Sequence, residues 1–388
     1  MEEWKEYKLG DFMEFNPKIS LKKNTVARKI TMDQLVPHSR DIYSWTYEPY
    51  SGGAKFQNGD TIMARIMPCL ENGKHAFISL LEENEIAYGS TEYIVIRGRC
   101  GISDNRFVYY LTHYPSFKEA AVKSMVGSSG RQRAQVDVLE NLTMKLPAIP
   151  EQRRIAEALS ILDDKIKVNK RINDNLEQQG QALFEEYVMN PNMPRTQLLS
   201  DYALINPTRT IAKGRAARCI DMSSLPTKGT FPSDWTFKEY NGGMKFQNGD
   251  TIMARITPCL ENGKTAYINF LDENEVAFGS TEYIVLSAHE GFCSELLYFL
   301  ARYDDFVSYA VSHMNGSSGR QRVSGNDIAN YVMPEITNET MDVISEKLHG
   351  IMEVIKNNSL ESRRLAEIRD TLLPRLMSGE LKLEGINM

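Results

Sequence analysis

Two polar segments carry side chains able to do chemistry, and each is written twice in the chain. Residues 59–74 (GDTIMARIMPCLENGK) close a run of β-type residues on Arg65 and continue into a loop bearing Glu71, Asn72 and Lys74. Residues 249–264 (GDTIMARITPCLENGK) do the same with Arg255, Glu261, Asn262 and Lys264. Arg and Lys can pair with guanine edges or with phosphates, and Asn can pair bidentately with adenine, so the available chemistry is nucleic-acid recognition. The structural alternative is a tight hairpin turn at Asn-Gly; a turn whose tip meets DNA combines the two. The second segment is GSSGRQR, at residues 127–133 and again at 316–322. Its glycines and serines expose backbone N–H groups. Together with Ser129, Arg131 and Arg133 in one copy, and Ser318, Arg320 and Arg322 in the other, they suit a phosphate clamp. A solvated loop with surface arginines is the alternative, but verbatim repetition inside diverged surroundings favours a sequence-independent contact with the DNA backbone.

Other chemistries find no support in the residues. Gly263-Lys264-Thr265 is a poor phosphate loop, because Pro258 stands where the first glycine belongs and the first copy has His75 in place of the threonine. Asn16-Pro17 and Asn206-Pro207 lack the second proline and aromatic residue of an adenine methyltransferase site. None of the six histidines recurs at an equivalent position in the two copies, whereas a duplicated metal or acid–base site should repeat its ligands. Five cysteines, widely spaced and without CxxC, suit neither a disulfide framework nor a zinc site. No catalytic residues, metal or cofactor are expected.

The elements that position these loops are set by a duplication. Residues 52–74 recur as 242–264 with two differences, and the same offset of 190 carries GSTEYIV at 89–95 onto 279–285 and Trp45 onto Trp235. Near the end of each copy the offset becomes 189, as GSSGRQR shows. A repeat this long, present only twice, is a duplicated domain and not a solenoid. Short β-type runs (residues 61–66, 76–81 and 93–96) sit between Gly and Asn turn signals, and a helical stretch follows over residues 105–124, which predicts a mixed α/β globule.

After each globule, over residues 150–188 and 335–373, Gly and Pro almost vanish and apolar residues fall on a seven-residue stripe. The first stripe includes Leu159, Leu162, Ile166 and Asn169, and the second Leu348, Ile351, Ile355 and Asn358. Each stretch predicts a helix of about 58 Å at 1.5 Å per residue, with Pro191 and Pro374 as stops. Helices of this length usually pair, and Asn169 and Asn358 at the seam would fix register; antiparallel pairing would put the globules at opposite ends of a rod. The resulting divisions are 1–147, 148–190, 191–334 and 335–388.

Composition is that of an ordinary globular protein, at 42% hydrophobic and 25% charged, with a formal net charge of −6. Residues 1–145 carry 19 basic and 18 acidic side chains, and residues 196–334 carry 12 and 15, so no segment grips nucleic acid by bulk charge. Local positive patches, or a partner that supplies positive field, must meet that deficit. No apolar run is long enough to span a bilayer, and a cytoplasmic protein is expected.

The order globule, long helix, globule, long helix resembles the specificity (S) subunits of type I restriction-modification systems, the HsdS family, over the whole chain. The GD-(apolar)-AR-x-x-P-x-LENGK run, the helix entry LPAIPEQRRI (residues 146–155) and the ending LLPRLMSGEL (residues 372–381) carry the likeness. The resemblance implies two target recognition domains on an antiparallel coiled coil, reading the two halves of an interrupted double-stranded DNA target without catalysis. It also implies partners: two methyltransferase (M) subunits docked on the helices, Glu151 and Gln152 included, with restriction (R) motor-nuclease subunits added to them. The second helix entry, from Pro334 to Glu339, lacks the Glu-Gln pair. A coiled-coil structural adaptor whose globules bind protein is the competing reading, favoured slightly by the acidic balance.

Overall fold

The computed structural model describes residues 4–317 and 319–383. The chain forms two compact units, one from the N-terminus to Lys167 plus the stretch from Arg363, the other from Val168 to Ser362.

Unit 1 begins with β1 (Lys5–Lys8), the single turn α1 (Leu9–Phe12) and β2 (Met13–Phe15). It continues through β3 (Val26–Ile30), β4 (Thr46–Pro49), β5 (Lys55–Phe56), β6 (Thr61–Ala64), β7 (His75–Phe77), β8 (Ala87–Gly89) and β9 (Tyr93–Gly98). Helices α2 (Asn105–His113), α3 (Pro115–Lys123) and α4 (Val136–Glu140) precede β10 (Thr143–Leu146). One sheet has the antiparallel order β2-β9-β6-β7; a second has the order β4-β3-β8-β5, with β3 and β8 parallel; β1 pairs with β10. Strand alternation explains why β6 and β9 are buried on both faces. Met63, Ile94 and Ile96 enter the core shared with α2 and α3, whereas Ile62, Tyr93 and Val95 enter the core between the sheets. The helical stretch expected over residues 105–124 is two helices, because Pro115 lacks an N–H to continue α2 and instead starts α3.

Unit 2 repeats this plan. Its strands are β11 (Arg195–Leu198), β12 (Ala203–Ile205), β13 (Ala216–Ile220), β14 (Thr236–Glu239), β15 (Met244–Phe246), β16 (Asp250–Ala254), β17 (Thr265–Tyr267), β18 (Ala277–Gly279), β19 (Tyr283–Ala288) and β20 (Val332–Pro334). The sheet orders are β12-β19-β16-β17, β14-β13-β18-β15 and β11-β20. The two Asn-Pro pairs are structural: Asn16 and Asn206 take positive φ values of 49° and 56°, and their side-chain oxygens accept from the N–H of Val95 and Val285.

The long helix α5 (Ile149–Tyr187) starts in unit 1 and ends in unit 2. Helices α6 (Ser294–Arg302), α7 (Asp304–Ser312) and α8 (Gly325–Ala329) belong to unit 2, and the second long helix, α9 (Asn338–Met377), starts there and ends in unit 1. Within unit 1, Ile155 and Leu159 of α5 share a core with Leu373, Leu376 and Met377 of α9. Within unit 2, Leu176, Leu183 and Phe184 pack with Ile344, Leu348 and Ile355, and Ile351 flanks them. In both places an early part of one helix meets a late part of the other, so the contacting segments run antiparallel. Leu162 and Ile166 are half-buried on the same stripe. The polar notch is bonded within unit 2: Asn169 Nδ2 donates to Glu361 Oε2 at 2.7 Å, and Asn358 Nδ2 donates to Asn173 Oδ1 at 2.9 Å.

Pro374 does not stop the second helix, which continues to Met377. A proline forfeits one intrahelical bond, but Leu376 and Met377 are buried in the unit 1 core and hold the last turn. The two junctions between helix and globule differ chemically. In unit 1, Asp163 accepts from Arg369 Nη1 and from the Tyr110 hydroxyl, each at 2.6 Å. The positions 189 residues away are Met352, Gly180 and Phe299, and Gly180 lies so close under the Phe299 ring that a Cβ would sit 2.3 Å from Cζ.

Candidate nucleic-acid interface

In unit 1 the polar loop connects β6 to β7, whose last facing pair is Met63 and His75. Asn72-Gly73 is therefore not the two-residue hairpin turn that its sequence suggests. The chain coils on itself instead: Leu70 N–H donates to Ile66 O, Asn72 N–H to Pro68 O and Lys74 N–H to Cys69 O. Leu70 is fully buried and pins this coil to the core, while Gly73 supplies a φ of +67° as the chain turns back. Unit 2 repeats each of these bonds from Ile256 to Lys264.

The GSSGRQR segment joins this loop in one surface. Arg133 bridges to both Ile66 and Val126, Met67 N–H donates to Gln132 O at 3.0 Å, and Ala134 N–H donates to Arg65 O at 2.8 Å. In unit 2 Arg322 bridges to Ile256 and Asn315, with Thr257 N–H donating to Gln321 O at 3.1 Å. Tertiary structure thus brings together two segments about sixty residues apart in each copy.

The arginines of the clamp divide into two kinds. Arg133 grips both carboxylate oxygens of Glu92, with Nε at 3.0 and 2.8 Å and Nη2 at 2.6 Å from Oε1. Arg322 grips Glu282 in the same way. Hydrogen bonding to the guanidinium holds both glutamates below the usual carboxylate range and raises both arginines. These two arginines fasten the loop to the turn that leads into β9 or β19 and have little left for a phosphate. Arg131 and Arg320 are exposed and have no side-chain partner among the described residues. Sequence reasoning did not single out Glu92 and Glu282, although GSTEYIV, the heptapeptide that holds them, is repeated verbatim.

The remaining expected residues fall into place as follows. Glu71, Asn72, Glu261, Asn262 and Ser129 are exposed on the joined surface, and Ser318 lies outside the described residues. Lys74 and Lys264 each donate Nζ to a backbone carbonyl, of Met32 and Met222, at 2.8 Å. Arg65 is half-buried and donates Nη2 to Ala134 O at 3.2 Å, so it supports the loop from beneath; Arg255 is half-buried at the same place. His75 and Thr265, the differing residues that follow the two loops, are 1% and 2% exposed and present nothing to a ligand. Gln152 is not available to a partner: it is 1% exposed, accepts from Asp104 N–H and donates to the carbonyls of Ile102 and Pro147. A primary amide enclosed by three backbone groups holds the helix entry to α2. Glu151 is half-buried and pairs with Arg154.

Among the described residues no group of His, Cys, Asp and Glu side chains is arranged to hold a metal ion, and no helix is long and apolar enough to cross a membrane.

The family model described as type I restriction modification DNA specificity domain matches residues 1–178. The HindI specificity subunit of Haemophilus influenzae is 22% identical, over 98% of this chain and 100% of its own length. The EcoAI specificity subunit of Escherichia coli is 30% identical over 39% of this chain and 26% of its own. The crystal structure of a type I restriction-modification S subunit from M. genitalium shares the fold, with a TM-score of 0.55, 13% identity and coverage of 97% of this chain and 96% of that one. With a family domain matched on the first copy, its close repeat in the second, and a relative aligned end to end, the chain is similar over its whole length to type I restriction-modification specificity subunits.

Proposed function

We propose that this chain is the DNA-reading subunit of a type I restriction-modification complex and that each unit presents one target recognition domain to one half of an interrupted target. The observation that carries this is the surface made where the residue 65–74 loop joins the GSSGRQR loop, present once in each unit with the same backbone bonds. On it an unpaired arginine, Arg131 or Arg320, lies beside exposed Asn and Glu side chains. That is the combination in which phosphate contacts set position and polar side chains read base edges.

In this reading residues 1–147 and 191–334 are the recognition domains. The paired segments of α5 and α9 act as a coiled coil that sets the gap between half-sites, with Asn169 and Asn358 fixing its register. The chain supplies no chemistry of its own, as the family is generally non-catalytic. Methyltransferase subunits, two in number, dock on the helices, and restriction subunits join them. Because no segment is strongly basic, tight DNA binding belongs to the assembled complex and not to the isolated chain.

The test is to express the chain with a cognate methyltransferase subunit and map N6-methyladenine across the host genome. A bipartite motif with an unread gap is expected, its halves related by inverted similarity, because two like domains about an approximate two-fold axis meet opposite strands. The absence of any methylated motif with an active methyltransferase would overturn the assignment, and halves with no inverted similarity would move base reading away from the repeated surface.

A further inference from the structure

The joined surface is the same in both units apart from a few side chains, and those few must account for any difference between the half-sites that it reads. Glu71, Asn72 and Arg131 have identical counterparts in Glu261, Asn262 and Arg320. His75 and Thr265 differ but are buried. Met67 and Thr257 differ and are half-buried, with Thr257 Oγ1 directed at Met314 Sδ, 3.9 Å away. That leaves residue 126, which is Val, and its counterpart 315, which is Asn.

Their backbones are held alike. Val126 exchanges two bonds with Arg133 (3.1 and 3.0 Å), and Asn315 exchanges two with Arg322 (both 2.9 Å). The side chains therefore leave the loop from one fixed place in each unit, directly opposite the arginine clamped by Glu92 or Glu282. Val126 is 66% exposed, so the fold of unit 1 gives its methyl groups little burial. Asn315 is also exposed; its Nδ2 donates to His313 O at 3.0 Å, which leaves Oδ1 and the second N–H free while fixing the amide plane.

We propose that residues 126 and 315 are specificity-determining positions, Val126 contacting a thymine 5-methyl group in the half-site of unit 1 and Asn315 pairing bidentately with an adenine in the half-site of unit 2. The inference rests on the DNA-reading role proposed above. The two side chains match the two chemistries a major groove offers at these bases. A branched alkyl group gains by covering the thymine methyl, and an amide with one acceptor and one free donor matches adenine N6–H and N7. Neither choice is needed by the loop, since the same backbone is built with either residue.

The experiment exchanges the two side chains, Val126→Asn and Asn315→Val, each in the full chain co-expressed with the methyltransferase subunit, and maps the methylated motif against the parent. Val126→Asn should alter the preference at one base position in one half only, toward adenine, and Asn315→Val should relax or alter one position in the other half. Discrimination at the altered position should change about tenfold or more. A variant complex that methylates nothing in the host is tested in vitro on duplexes degenerate at every motif position. Enrichment of a new base at one position supports the proposal, and enrichment of the parental sequence, or of none, overturns it. Unchanged motifs for both exchanges also overturn it. If the parent chain itself yields no bipartite motif, the DNA-reading role has failed first, and this inference goes with it.

Discussion

Lowering the pH from 7 to 5 is a perturbation that weighs more heavily on unit 1 than on unit 2, through two imidazoles held away from water. His75 is 1% exposed, its Nδ1 faces the Thr112 hydroxyl at 3.2 Å, and its ring lies 4.7 Å from that of His113. Thr112 already donates its proton to Tyr109 O, so His75 Nδ1 is the donor, while Nε2 has no partner among the described residues. Burial, with Lys118 and His38 adding positive charge nearby, pushes the His75 pKa down to about 3. Burial also pushes His113 well below the ordinary value, with His75, Arg369, His38 and Lys118 acting the same way. A histidine whose folded pKa is depressed binds protons in the unfolded state first. Its stability contribution is therefore complete above pH 6.5 and is lost as pH falls toward 3. At pH 5, 1.5 units below the ordinary histidine value, His75 alone withdraws about 2 kcal/mol, and His113 adds to that in the same direction.

Unit 2 has Thr265 and Arg302 at these positions, neither of them an imidazole, and Arg302 donates to five backbone carbonyls. The Glu92–Arg133 pair titrates too, but Glu282–Arg322 matches it in unit 2, so the comparison between units cancels it. Trp4 and Trp45 lie in unit 1 and Trp235 in unit 2, which permits separate readouts. Urea titrations followed by tryptophan fluorescence in a Trp235→Phe chain report unit 1, and in a Trp4→Phe, Trp45→Phe chain report unit 2. The unit 1 midpoint should fall at pH 5 by the equivalent of about 2 kcal/mol or more relative to unit 2, and His75→Thr should remove a large part of the difference. Equal acid sensitivity of the two units, or a His75→Thr chain as acid-sensitive as the parent, would refute the reasoning.

Three further outcomes are expected. Replacing Arg131 and Arg320 together by Ala should lower the slope of log K against log salt for the assembled complex by about 1.8, from two lost phosphate contacts, with the methylated motif unchanged; filter binding at several salt concentrations measures it. Gly180→Ala should destabilise unit 2 by about 1–2 kcal/mol in urea denaturation, since overpacking against the buried Phe299 ring outweighs the gain in helix propensity. Gln152→Ala should lower the unit 1 midpoint by the equivalent of about 2–3 kcal/mol, because the Asp104 N–H and two carbonyls lose a buried partner; weakened methyltransferase binding at unchanged stability would instead restore Gln152 to a docking role.

Much of the organisation was legible from the chain alone. The duplication is recorded at fixed offsets, and the polar loops are recorded as repeated strings. The two long helices announce themselves because a seven-residue period is a local property that survives without knowledge of the partner. Runs of β-type residues between Gly and Asn turn signals likewise placed Thr61 to Ala64 and Tyr93 to Ile96. What local pattern could not supply is the identity of contacts made across long separations. Arg131 and Arg133 stand two residues apart in one heptapeptide, yet one is free and the other is held by a glutamate 41 residues away. Asn72-Gly73 has the composition of a hairpin turn, but the buried Leu70 coils the chain around it. Gln152 reads as a surface residue of a helix entry until three backbone groups from elsewhere enclose it. Residue types and spacing fix which groups a segment can offer. Which of them reach solvent, and so can meet DNA, is decided only when distant segments pack and satisfy one another's hydrogen bonds, because a polar group bonded inside the fold has little left to give a ligand.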